Sequence, residues 1–292
     1  MNTELTSLEN FDELRMNYYS RLQKEIPNFS LMGGVIKSFL DKIIKDGGFY
    51  LRMRTETLPK VISSGRIKGN METGISTSGE GGKARVPSCA AMFGCDPEKM
   101  QPADYPKFGY LSADNHLQNL LVSEEMSTLY GGTVVKLKKE NFMHRTTITI
   151  GDSLQLGRCY GLIPDRVDNV LPTCVYGLKH GSDFAYPKLP NAAVCWYYLA
   201  TKIVSKTLTP ENFFDMDALI GDPMPIFEFF ELQYHGIIDI TKDVERVDIF
   251  DYSEVVNTPE VAAAAGYFKS QGIPFSAHST IDSVYHELHK KQ

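Results

Sequence analysis

Glu231, Gln233 and His235 stand two residues apart in Phe227-Glu-Phe-Phe-Glu-Leu-Gln-Tyr-His-Gly236, an aromatic-rich stretch bounded by Pro225 and Gly236. That composition predicts a β-strand. Side chains alternate across a strand, so Phe229, Glu231, Gln233 and His235 share one face, while Glu228, Phe230, Leu232 and Tyr234 share the other. The second set is mainly apolar and suits a core. The first lines up a carboxylate, an amide and an imidazole behind a phenyl ring. Two readings are open at this point. One is a half-buried strand with a solvated polar face, as antiparallel sheets commonly have. The other is a functional face completed by groups from elsewhere in the chain.

Three further places carry groups fit for such a face. The stretch Arg145–Ile150 alternates Thr146, Ile148 and Ile150 against Thr147 and Thr149, and predicts a strand running into Gly151-Asp152-Ser153. A carboxylate just past a strand end is fixed by the strand yet accessible. An Asx turn would place the same residue there. Phe49–Arg54 predicts a strand with Arg52 and Arg54 on one face. Gly69–Gly82 is dense in glycine and hydroxyls and includes Gly74, Ser76, Thr77 and Ser78. Such a loop lets backbone amides approach a ligand closely. It lacks the Lys-Ser/Thr of a P-loop and the G-x-G-x-x-G of a dinucleotide fold.

The elements that must position these groups follow from periodicity. Residues 10–45 predict two amphipathic helices separated by Pro27, the second carrying Val35, Ile36, Phe39, Leu40, Ile43 and Ile44 and ending at Gly47-Gly48. A short helix over Leu58–Ser64 ends at Gly65. Residues 83–109 read as irregular, Asn115–Leu129 as a helix and Thr133–Leu137 as a strand. Asn191–Val204 and Thr209–Ile220 predict helices of an inserted subdomain at about 185–222. Ile237–Ile240 and Val244–Phe250 predict strands, Pro259–Lys269 a helix and Ile273–Phe275 a last strand. The expected organisation is a helical segment over 1–48 and a catalytic domain over 49–292.

Composition narrows the function classes. The chain has 292 residues and a net charge of −6, which argues against a partner bound through a phosphate backbone, so no nucleic acid is expected. Five cysteines without a C-x-x-C give neither a disulfide framework nor a zinc site. His286 and His289 have no evident third ligand, so no metal is expected. No apolar run approaches the ~20 residues that span a bilayer, and the N-terminus lacks the charge and apolar core of a cleavable signal peptide. A soluble protein with no membrane partner is the expectation.

The order of these pieces resembles ADP-ribosyltransferases, which carry an Arg or His on the first core strand, a Ser-Thr-Ser-like stretch and a late glutamate. Glu72-Thr-Gly-Ile-Ser-Thr-Ser-Gly79, Tyr105-Pro-Lys-Phe-Gly-Tyr-Leu111, Arg145-Thr-Thr-Ile-Thr-Ile-Gly-Asp-Ser153 and Glu231-Leu-Gln-Tyr-His-Gly236 are similar to a more specific group, the CteC-like bacterial ADP-ribosyltransferases. Those effectors ADP-ribosylate ubiquitin on threonine. The resemblance spans about residues 49–280. It implies an α+β fold, an ADP-ribosyltransferase-like split β-sandwich with flanking helices, and NAD as substrate. It further implies Glu231 and Asp152 as a catalytic pair, with Arg54 (or Arg52), Gly74 and Ser76-Thr77-Ser78 at NAD. Gln233, His235 and Phe229 would stand behind them. Effectors of this kind act in a host cytosol after secretion without a cleaved signal.

One departure bears on the acceptor. Arginine-modifying transferases resemble one another in a Glu or Gln two positions before the catalytic glutamate, and here that position is Phe229. A phenyl ring cannot polarise a guanidinium, so a hydroxyl acceptor is expected. Its ring would pack on nicotinamide or line the cleft. Competing readings are a thiol hydrolase using Cys159 or Cys195, a non-catalytic binding module, and an NAD glycohydrolase on the same fold.

Overall fold

The computed structural model describes residues 28–74, 92–113, 130–149, 175–177, 184–185, 199–213, 230–250 and 258–278, with single positions or pairs at 9–10, 13, 20, 23–24, 86 and 89. The predicted helix over 115–129 and most of the one over 10–22 lie outside them. The remainder is a mixed α+β fold.

Helix α1 (Phe29–Asp46) runs directly into strand β1 (Gly47–Met53). Its apolar stripe, Ile36, Phe39, Leu40, Ile43 and Ile44, is buried. Its open C-terminal carbonyls are met by Lys139, whose Nζ donates to the carbonyl oxygens of Ile44, Lys45 and Gly47, a cation where the helix dipole favours one. Helix α2 (Leu58–Ser64) ends at Gly65, φ 67°, as the glycine predicts. Next come β2 (Arg66–Ile67), the single-turn α3 (Asn70–Thr73) and β3 (Lys107–Ala113). Strands β4 (Thr133–Leu137), β5 (Thr146–Thr149), β6 (Val175–Gly177), β7 (Phe184–Ala185) and β8 (Phe230–Tyr234) follow. The chain then forms β9 (Ile238–Asp239), α4 (Ile240–Asp243), β10 (Val244–Phe250), α5 (Pro259–Ser270) and β11 (Phe275–His278).

Nine strands share one sheet in the order β11-β10-β4-β1-β3-β8-β5-β6-β7, and β2 pairs with β9 apart from it. Every described pairing is antiparallel except β10 with β11. One face of the sheet carries the core: Phe49, Leu51, Leu111, Val135, Ile148, Phe230, Leu232 and Val247 join the α1 stripe, α5 residues Val261, Ala264 and Phe268, and Leu199, Leu208 and Phe213. Tyr234 belongs there too. Its ring lies where a Cβ on Gly109 would be (2.6 Å), and its hydroxyl donates to the Tyr50 carbonyl at 2.9 Å. This close approach is why β3 holds a glycine mid-strand.

Two local expectations are corrected. Residues 107–109 are not irregular but open β3. Ile237–Ile240 is not one strand: Asp239 caps a helical turn, its Oδ1 accepting from the backbone amides of Thr241 and Lys242 at 2.9 and 3.1 Å. An aspartate in that position is a helix-start signal. Gly47 and Gly48 do end α1 as expected, Gly47 standing as its C-cap. They are the first residues of β1, and a Cβ on Gly47 would meet the Ile43 carbonyl at 2.7 Å.

Candidate active site

The alternation predicted for β8 holds, with Phe230, Leu232 and Tyr234 on the core face and Glu231, Gln233 and, just past the strand, His235 on the other. The solvated version of that second face does not hold. Glu231 is 5% exposed, and Gln233 and His235 are 0% exposed. The cover at the His235 end is a second apolar cluster, Cys89, Met92, Phe93, Cys95, Met100 and Tyr105, with Phe108 packed against it. The Phe93 ring meets His235 edge to face at 4.8 Å.

Register brings hydroxyls to this line, because Thr149 pairs with Glu231 and Thr147 with Gln233. The Gln233 amide nitrogen donates to Glu231 Oε1 at 2.8 Å and to Thr149 Oγ1 at 2.6 Å. Thr147 Oγ1 donates to Gln233 Oε1 at 2.9 Å and lies 3.0 Å from His235 Nε2. On the other flank Tyr110 of β3 pairs with Glu231 and with Tyr50 of β1, and the two tyrosine rings stack at 5.7 Å. Burial pushes the Tyr110 phenol up, and the nearby Arg52 guanidinium partly offsets this.

The turn after β8 is gripped by two cations. Arg145 Nη1 donates to the carbonyls of His235 and Ile237 at 3.2 and 2.6 Å, while Lys107 Nζ donates to that of Gly236 at 2.9 Å. Lys107 also serves the carbonyls of Ala103 and Tyr105, at 2.6 and 3.1 Å. Burial lowers its ammonium to about 8, with Glu72 opposing the shift. Asp243 accepts from Arg145 Nη2 at 3.2 Å. Glu72, within the glycine-rich stretch, lies 3.8 Å from Lys107 and 2.6 Å from Arg66. Burial first, then the charges of Lys107 and Arg145, hold His235 neutral down to about 3.

Thus Glu72, Lys107, Arg145 with Thr147, and Glu231 to Gly236 form one connected network. Each comes from a different one of the four sequence stretches. No family model matches this chain, and no curated protein matches it either.

The remaining predicted residues are placed as follows. Arg52 is half-buried on the polar face, two residues beyond Tyr50 on β1, and Arg54 is exposed past the strand end. The Arg54 carbonyl accepts from Thr57 at its amide (3.0 Å) and hydroxyl (2.6 Å). Gly74 closes α3 at φ 67° and is exposed. Ser76, Thr77, Ser78, Asp152 and Phe229 lie outside the described residues, as do Cys159 and Cys195. Of the described thiols, Cys95 is pushed up to about 11 by burial, which leaves it unreactive at neutral pH. Among the described residues no group of three His, Cys, Asp or Glu could hold a metal, and no helix is long and apolar enough to cross a membrane.

Sequence reasoning missed Thr147 and Thr149 as neighbours of Glu231, although their alternation against Thr146 and Ile148 already set them on one face. It also missed Lys107, Arg145 and Glu72. No local signal separates a buried cation that grips carbonyls from a solvated one.

Proposed function

We propose that the chain is an NAD-dependent mono-ADP-ribosyltransferase that releases nicotinamide and modifies a protein on a hydroxyl side chain. Its sheet would be the ADP-ribosyltransferase-like split β-sandwich, with NAD on the polar face. The observation that carries this reading is the fixed carboxylate of Glu231, held through Oε1 by Gln233 and flanked by Tyr110 and Thr149. The meeting of all four resembling stretches in one network supports it as well.

The chemistry asks for such a carboxylate. When the C1′–nitrogen bond of NAD breaks, its electron pair goes to the nicotinamide ring and neutralises it. The ribose is left oxocarbenium-like. A carboxylate bound to the 2′-hydroxyl and facing that cation stabilises the transition state more than the ground state. The acceptor oxygen then bonds to C1′ and gives up its proton, for which Asp152 is the proposed base. Asp152 follows Thr149 by three residues in the chain. Arg52, which shares the polar face, is the better-placed cation for the pyrophosphate; its fork suits bidentate phosphate contact. Ubiquitin, on a threonine, is the acceptor the resemblance suggests.

The test is incubation of the purified chain with tagged NAD, ubiquitin and a cell lysate, followed by mass spectrometry of labelled peptides. Label on a ubiquitin threonine is the expected result. Label on other proteins alone would discard the acceptor and keep the transferase. Free ADP-ribose without labelled protein would make the chain an NAD glycohydrolase, and no NAD consumption would reject the reading.

A further inference from the structure

We infer that His235, Thr147 and Gln233 form a directional hydrogen-bond relay that positions the Glu231 carboxylate, His235 acting as a neutral donor at Nε2 and not as an acid or base. The positioning role rests on the transferase reading; the direction of the relay does not.

The direction follows from counting protons. An ionised carboxylate only accepts, so the group of Gln233 at 2.8 Å from Glu231 Oε1 is its amide nitrogen, which turns Oε1 of Gln233 to Thr147. A carbonyl oxygen only accepts, so the single hydroxyl proton of Thr147 is spent on it. The remaining contact, 3.0 Å between Thr147 Oγ1 and His235 Nε2, then has the imidazole as donor. His235 is therefore the Nε2–H tautomer. Each step orients the next, and chains of this kind strengthen one another in a dry interior.

The surroundings fit that role. Lys107 and Arg145 grip the carbonyls of residues 235 to 237 and disfavour a charged imidazole beside them. The Phe93 ring closes the apolar side of the histidine. A histidine so enclosed cannot exchange protons with a substrate. It can fix a tautomer, and through it the orientation of an amide and a carboxylate.

The test has a spectroscopic and a kinetic arm. Nitrogen-15 NMR of the labelled full chain is expected to show His235 protonated at Nε2 and bare at Nδ1, unchanged from pH 7 to pH 5. Nicotinamide release is then compared for Thr147→Val, which keeps the shape and deletes the hydroxyl, and Thr147→Ser, which restores it. Loss of one such hydrogen bond is expected to lower kcat about tenfold in Thr147→Val, with KM for NAD within about twofold. Serine should recover most of it. All proteins are assayed well below their unfolding midpoints, so a purely structural threonine would leave kcat unmoved. An Nδ1–H tautomer would overturn the relay outright. An unchanged kcat in folded Thr147→Val, or no rescue by serine, would overturn its positioning role. Absence of nicotinamide release from the wild type, with the Nε2–H tautomer in place, would overturn the transferase reading and the positioning role with it, and leave the relay as a structural device.

Discussion

Replacing His235 with glutamine should make the protein less sensitive to acid. The folded state holds the imidazole neutral to about 3 against an ordinary 6.5, because it is buried and faces Lys107 and Arg145. Between those values the unfolded chain binds a proton that the folded chain does not. Stability is therefore fully present above pH 6.5 and is lost as pH falls through this window. From pH 7 to pH 4 the loss from His235 is equivalent to about 2.3 pH units at ~1.4 kcal/mol each, or about 3 kcal/mol. Glutamine keeps a neutral N–H for Thr147 and has nothing to titrate. Urea unfolding of both proteins at pH 7 and pH 4 gives the four free energies needed, and other titrating groups cancel in the double difference. Glutamine is expected to start lower at pH 7, having lost the edge contact with Phe93, and to lose about 3 kcal/mol less on acidification. Equal acid sensitivity of the two proteins would refute the neutral, buried histidine.

Three further outcomes are expected. Gly109→Ala sets a Cβ 2.1 Å from the Tyr50 carbonyl oxygen and 2.6 Å from the Tyr234 ring, and should destabilise by about 3 kcal/mol in chemical denaturation; an unchanged midpoint would mean the ring does not cross that glycine. Lys107→Met keeps the length of the side chain but strips partners from the carbonyls of Ala103, Tyr105 and Gly236, at a cost of about 3 kcal/mol by the same assay, and no loss would contradict the carbonyl grip. In calorimetry, Arg52→Ala should weaken NAD binding by about tenfold and Arg54→Ala by far less, since only Arg52 lies on the polar face beside Tyr110; the reverse order would move the site to the strand end.

How much of this was legible in the sequence differs from residue to residue. Strand β8 was, because Phe230, Leu232 and Tyr234 alternate with polar side chains. So was the end of α2, because Gly65 takes a left-handed φ of 67° there. What covers the polar face was not. Phe93 reaches His235 across more than a hundred residues of chain, and its neighbours in the cluster carry no periodic pattern. Strand β3 was hidden by Pro106, Lys107 and Gly109, which individually argue against a strand. The last two are accounted for by a distant partner: Lys107 grips the carbonyl of Gly236, and Gly109 makes room for Tyr234. Of the expected site, Glu231, Gln233 and His235 do share a line, and the hydroxyls beside them come from the strand that precedes Asp152.

The role of the Glu231 charge is tested by nicotinamide release from NAD by the wild type and by Glu231→Gln, purified side by side and matched for unfolding midpoint. Glutamine preserves the shape and the contact to Gln233 but removes the charge that would face the oxocarbenium ion. Release by the wild type and a drop of about a hundredfold or more in the variant, with NAD still bound, are expected. Wild-type turnover by a folded Glu231→Gln protein would contradict that role.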